Sequence, residues 1–184
     1  MKVRIIFISI MLITAGLSLS AQKIYTKNGA ISFFSKAPVE NISADNNQVM
    51  SVLTLSSGEL QFSLLIKGFH FKKSLMEEHF NENYLESHKY PKATFKGKIN
   101  DLSKVNFTTD GNYTVEVSGD LAMHGITNKI TATGIISVKS GMISATSKFK
   151  IKLSDYNISI PGIVKDNIAQ VVDVTVSCLY DQKI

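Results

Sequence analysis

The side chains best suited to chemistry crowd into one stretch, where Glu77, Glu78, His79, Glu82, Glu86 and His88 follow one another closely. His79 and Glu82 are three apart, so on a helix they share a face and, with a third donor, have the types to hold a metal ion. Their spacing matches neither H-E-x-x-H nor a recognised zinc pattern, and a solvated acidic face beneath an apolar one is the preferred reading. No metal ligand is assigned. Nucleophilic catalysis has as little to work with. There is no G-x-S-x-G, and Cys178, the single cysteine, falls in the apolar set of a strand, where a buried thiol holds its proton. A phosphate-cradling G-x-x-x-x-G-K loop is absent too. No catalytic residue and no cofactor follow, and the chain does not read as an enzyme.

Two further places set polar groups against long apolar strands. His124-Gly125 lies between two alternating runs, so Gly125 supplies a positive φ in a tight turn. His124 either stands at a barrel rim within reach of a polar head group or is an ordinary turn histidine, the second being preferred. At Asp155-Tyr156, the tyrosine either lines an interior with its hydroxyl at the mouth or packs in a core.

The elements that must position these groups are mostly strands. Residues 72–97 are the one long interruption in a chain that otherwise alternates. Ser74 and Glu77 have the spacing of a capping box, and the residues after them recur at helical intervals, which predicts one short helix ended by Pro91. Its apolar face, Leu75, Met76, Phe80, Tyr84 and Leu85, is bulky enough to lie across the open end or side of a sheet. Before it, strands are expected at 23–25, 30–35, 37–44, 48–56 and 59–67; after it, at 92–99, 112–123, 127–139, 142–153 and 169–179. Asn28-Gly29, Ser57-Gly58, Asp110-Gly111, His124-Gly125 and Ser140-Gly141 mark tight antiparallel connections. Some eight long strands joined this way form a meander that closes on itself and so removes its edges. The fold class is all-β: an extended eight-stranded antiparallel barrel with one short helical insert.

Alternation also fixes the wet face. Lys148, Lys150 and Lys152 oppose Ile143, Ala145, Ser147, Phe149 and Ile151 on one strand. Small residues at Gly97, Gly119, Ala132, Gly134, Ala145 and Ser147 sit in the inward sets. They leave a hollow interior in one reading and mark bulges of a filled barrel in the other.

Residues 1–21 carry Lys2 and Arg4, an apolar run over 5–17 and the small residues Ser20 and Ala21, the pattern of a cleaved secretory signal. The run is shorter than the ~20 residues of a spanning helix, so a retained anchor is the weaker alternative. Residues 22–184 then form a single domain. Without Lys2 and Arg4, 18 basic side chains face 15 acidic ones, too weak and dispersed a balance for nucleic acid. One cysteine allows no internal disulfide.

His79-Phe80, Tyr84-Leu85, Tyr90-Pro91, Thr94-Phe95, the run 119–125 with Ile126-Thr127, and the run 153–158 closing toward Pro161 together resemble the YceI-like family of secreted lipid-binding proteins. The resemblance covers nearly all of the chain after residue 21 and implies a lipocalin-like barrel whose pore holds a long isoprenoid or fatty-acid-like chain. Such a protein would be periplasmic or secreted, a carrier or store, with no stable membrane span once the signal is removed; an enzyme acting on such a lipid and a structural envelope protein with a filled barrel are the alternatives. A dimer is left open. The lipid-facing candidates are Phe62, Leu64, Ile66, Phe95, Val115, Val117, Leu121, Ile136, Phe149, Ile151 and Val174 on strands. Met76, Phe80, Tyr84 and Leu85 join them from the insert and Tyr156 from beyond the strands, with His124 as the head-group candidate.

Overall fold

The computed structural model describes residues 22–183; the expected signal segment lies outside them. Eight long antiparallel strands close into a barrel. In chain order they are β1 (Lys23–Lys36), β2 (Asn41–Thr54), β3 (Glu59–Leu65), β5 (Lys92–Ile99), β6 (Gly111–Met123), β7 (Ile126–Lys139), β8 (Met142–Lys152) and β9 (Val171–Tyr180). Two short strands, β4 (His70–Phe71) and β10 (Gln182–Lys183), extend the ladders of β2 and β1. Each long strand pairs with its chain neighbour, and the β1–β2 ladder joins the two ends of the sheet. The alternating pattern is thus satisfied on every strand without leaving a free barrel edge at the ends of the sheet.

The structure corrects the strand list at its beginning. Residues 23–25 and 30–35 are one strand, because Asn28-Gly29 is not a turn but a bulge, with the β1–β2 register shifting on either side of Gly29. Glycine is needed there by proximity: a Cβ would lie 2.6 Å from the Cys178 sulfur and 3.0 Å from the Val49 carbonyl oxygen. Likewise 37–44 and 48–56 merge into β2. Asp110-Gly111 is not a tight connection either, since Gly111 already opens β6 and a long loop with a 3-10 turn at Leu102–Lys104 precedes it. His124-Gly125 and Ser140-Gly141 are two-residue hairpin turns, with φ of 51° and 75° in the first and 52° and 78° in the second.

The insert is α1 (Ser74–His79), which runs directly into a π-turn at Phe80–Tyr84. No capping box forms. Lys73 occupies the N-cap position, and Glu77 reaches back past Ser74 to accept the Phe71 N–H at 3.0 Å. The wider π-turn closes with the Leu85 N–H donating to the Phe80 carbonyl at 2.9 Å, which rotates Phe80, Tyr84 and Leu85 onto the barrel. Leu75, expected on the same face, points outward instead.

The interior is solid at one end and hollow at the other. Ile24, Val49, Leu53, Val138, Ile143, Cys178 and Tyr180 are buried as a plug, with the Ser51 and Tyr180 hydroxyls hydrogen-bonded at 2.9 Å inside it. Burial pushes the Cys178 thiol up to about 11, so it stays protonated and unreactive.

Around the hollow end the wall is uneven. The β7–β8 ladder spans only Gly134↔Ser147 to Lys139↔Met142. Beyond it, residues 126–133 pair with β6 alone and 148–152 with β9 alone. Side chains close the ends of this seam: the Ser147 hydroxyl donates to the Thr133 carbonyl at 2.7 Å, and the Asn128 amide donates to the Asp155 carbonyl at 2.6 Å.

Candidate functional site

Two adjoining apolar chambers occupy the hollow end. The inner, about 110 Å³, lies between β3, β5, β6, β7 and β8; the outer, about 360 Å³, lies beneath the insert. Ile31, Leu64, Ala93, Leu121 and Phe149 line both, so the two chambers adjoin at a shared waist. An apolar cavity of this kind does not hold water well and is filled most favourably by an apolar guest.

The small inward residues divide into two groups. Ala132, Gly134, Ala145 and Ser147 line the inner chamber and make its width. Gly97 and Gly119 do not. They face each other across the β5–β6 ladder, and a Cβ on either would strike the Phe95 ring, which covers both. Here the missing side chains are replaced by an aromatic from the same strand rather than by empty space.

Each candidate read from the sequence can now be located. Phe62, Phe95, Val115, Val117 and Ile136 line the inner chamber, and Leu64, Leu121 and Phe149 the waist. Ile66, Met76, Phe80, Tyr84, Leu85, Ile151 and Val174 line the outer chamber. Tyr156 does not reach either chamber. It is buried in a 3-10 turn, Leu153–Tyr156, and lines neither chamber. His124 is also displaced from the site. Its Nδ1 donates to the Tyr156 carbonyl at 2.8 Å and its Nε2 meets Glu86 Oε2 at 2.9 Å, while the Tyr90 ring packs edge-on at 4.8 Å. Both partners of the ring are acceptors, so no nitrogen is left for a head group.

His124 is therefore a latch between the insert and the β6–β7 turn. Its hydrogen bond holds the Glu86 carboxyl below the ordinary range, with Lys89 adding to the effect. A carboxyl lowered on folding stabilises the native state above its unfolded value and loses that contribution as pH falls through the folded value. Glu86→Gln should accordingly lower the melting temperature at pH 7, and the difference from the parent should shrink as pH falls through the lowered folded value of this carboxyl. Thermal melts across that range check it, and a pH-independent difference would assign the effect to something other than this carboxylate.

Sequence reasoning missed one side of the outer chamber. Ile31 and Phe33 of β1, Phe69 and Phe71 beside β4, and Leu153, Ile158, Val164, Ile168 and Val172 also line it. Phe33, Phe69, Phe71 and Phe80 form a ring cluster with centroids 5.0–5.8 Å apart. Adjacent Phe33-Phe34 makes both faces of β1 look apolar, and 161–168 has no periodicity to read. The carboxylate, imidazole and amide side chains lining the outer chamber are Glu40, His79 and Asn167. Glu40 is paired with Lys73 at 2.6 Å. Among the described residues no group of three or more His, Cys, Asp or Glu side chains is placed to hold a metal, and no helix is long and apolar enough to cross a membrane.

Solved structures share this architecture. A polyisoprenoid-binding domain from Saccharophagus degradans, implicated in plant cell wall breakdown, is similar with a TM-score of 0.73 at 18% identity, over 87% of this chain and 97% of that one. BcnA from Burkholderia cenocepacia gives 0.64 at 15% identity, over 84% and 96%. A YCEI protein of Campylobacter jejuni gives 0.51 at 17% identity, over 99% and 92%. No curated protein matches the chain. The YceI-like domain model matches residues 22–179, the barrel to within one residue of the end of β9, and the chain belongs to the YceI-like family.

Proposed function

We propose that this protein is a periplasmic or secreted carrier or store for a long-chain apolar lipid, polyisoprenoid or fatty-acid-like, held in the barrel without chemical change. The observation that carries this reading is the pair of adjoining apolar chambers, the larger under the insert and the smaller beyond the shared Leu64, Leu121 and Phe149. A linear chain fits a passage of that shape, and its head would rest near Glu40, His79 and Asn167 at the opening. The outer chamber alone falls in the ~300–1,000 Å³ range of small-molecule sites. The similar polyisoprenoid-binding domain supports the same ligand class.

Each buried CH₂ contributes ~0.8 kcal/mol before the cost of ordering the chain, so length should dominate affinity. Organic extraction of the purified protein followed by mass spectrometry should yield one lipid species or a narrow series in near-stoichiometric amount. Added lipids of increasing chain length should bind progressively tighter, whatever their head-group charge. An empty extract together with no chain-length dependence would end the carrier reading; recovery of a chemically altered lipid after incubation would point to an enzyme.

A further inference from the structure

We propose that the mouth of the outer chamber docks on a phospholipid bilayer by inserting Val39, Leu75 and Ile163, so that ligand moves between membrane and barrel without crossing water. The inference rests on the reading of the chamber as a lipid site.

Three separate segments border the outer chamber, and each carries one apolar side chain held out into solvent: Val39 is 68% exposed, Leu75 59% and Ile163 93%. Each is the chain neighbour of a residue that lines the outer chamber, namely Glu40, Met76 and Val164. The segments are tied together. The Val39 N–H donates to the Asp166 carbonyl at 3.0 Å, and the Lys73 ammonium donates to Glu40 at 2.6 Å. Other exposed apolar residues, such as Met50, Leu65, Met142 and Leu179, lie on the barrel strands, as they do on most proteins. Three around one opening form a tripod.

The charges on the same segments decide what the tripod meets. Lys36, Lys72, Lys73 and Lys165 are balanced by Glu40, Glu77, Glu78 and Asp166. No net field steers an acidic or basic macromolecule to this rim. A bilayer interface needs none, because apolar tips bury in the acyl boundary while lysine stems lie along it with their ammonium groups in the head-group layer. The segments that carry these tips also line the chamber where an acyl or prenyl chain would go.

The mature protein, freed of lipid, is tested by flotation with phosphatidylcholine vesicles, with and without phosphatidylglycerol, at low and high salt. A pyrene-labelled long-chain fatty acid is then offered either from vesicles or as dilute monomer. The parent should float with both vesicle types regardless of salt. The variant Val39→Ser/Leu75→Ser/Ile163→Ser should melt like the parent and take monomeric probe to the same stoichiometry, yet bind vesicles and accept probe from them about tenfold less well. Ile163→Ser alone should give a smaller loss in the same direction. Absence of vesicle binding by the parent, binding that needs anionic lipid and is removed by salt, or a triple variant as fast as the parent would each overturn the proposal. If neither protein takes monomeric probe, the carrier reading fails, and flotation of the empty protein still decides docking by itself.

Discussion

Replacing Phe80 with alanine should lower the stability of the lipid-free protein by about 3 kcal/mol, near the lower end of the range for truncating a buried phenylalanine. The ring is only half-buried, which keeps the loss from being larger, but it is the point where the insert grips the barrel. It stacks on Phe33 at 5.6 Å with planes 20° apart, meets Phe69 edge-on at 5.6 Å and lies 5.0 Å from Phe71. Contacts of this geometry add to the area they bury. The same ring lines the outer chamber, so the mutant should also lose much of the stability that added lipid gives the parent, ligand acting only through the native state. Melting curves with lipid removed and restored separate the two effects. A mutant that is weaker when empty yet gains as much from lipid as the parent would make Phe80 a core residue alone, and a loss below ~1 kcal/mol when empty would show that the cluster does not hold the insert.

Phe149→Asp should abolish lipid retention. Phe149 lines both chambers at their waist and sits opposite Val174 on β9, so the new carboxylate would be surrounded by apolar side chains with no cation inside the passage. An unpaired charge there is costly in the empty barrel and more costly beside an apolar chain, which would displace its remaining water. Extracted lipid should fall to under about a tenth of the parent's amount, whether the barrel folds or not. Phe149→Leu keeps the site apolar and should retain lipid. Lys150→Gln, one residue along on the wet face, removes only an exposed pair with Asp173 at 3.3 Å and should change stability by less than ~0.5 kcal/mol. Lipid retention by the aspartate variant equal to the parent's would remove the waist from the binding passage.

Which parts of this architecture could be read from the chain depends on what each signal averages over. On β6, β8 and β9 the alternation runs unbroken for ten or more residues; the inward sets of β8 and β9 are buried or line a chamber, as do Val115, Val117, Leu121 and Met123 on β6. The two-residue turns at His124-Gly125 and Ser140-Gly141 were legible because both central positions take positive φ. Asn28-Gly29 likewise has a glycine in second place, but that glycine answers to the Cys178 sulfur across the barrel, a tertiary contact that local sequence does not contain. The capping box failed for a similar reason. Glu77 finds the Phe71 N–H within reach, and the preceding strand supplies that donor only once β4 has paired with β2. Tyr156 and His124 were legible as polar groups near the barrel end, while their mutual hydrogen bond, which keeps both out of the passage, depends on a hairpin and a 3-10 turn 32 residues apart meeting in space.

The incomplete β7–β8 ladder makes the barrel compliant in one direction. A barrel's girth is ordinarily fixed by its hydrogen bonds, since widening it means breaking a ladder. Here residues 126–133 and 148–152 have no such bonds to each other, so that part of the wall can spread or draw in at the cost of a few side-chain contacts. The inner chamber borders this stretch through Ile130, Ala132 and Phe149, and its cross-section is therefore free to adjust to the bulk of its guest, straight or methyl-branched. Amide protons along the unpaired edges of both strands should exchange with solvent far sooner than those of the neighbouring β6–β7 and β8–β9 ladders, and a bound chain should slow them.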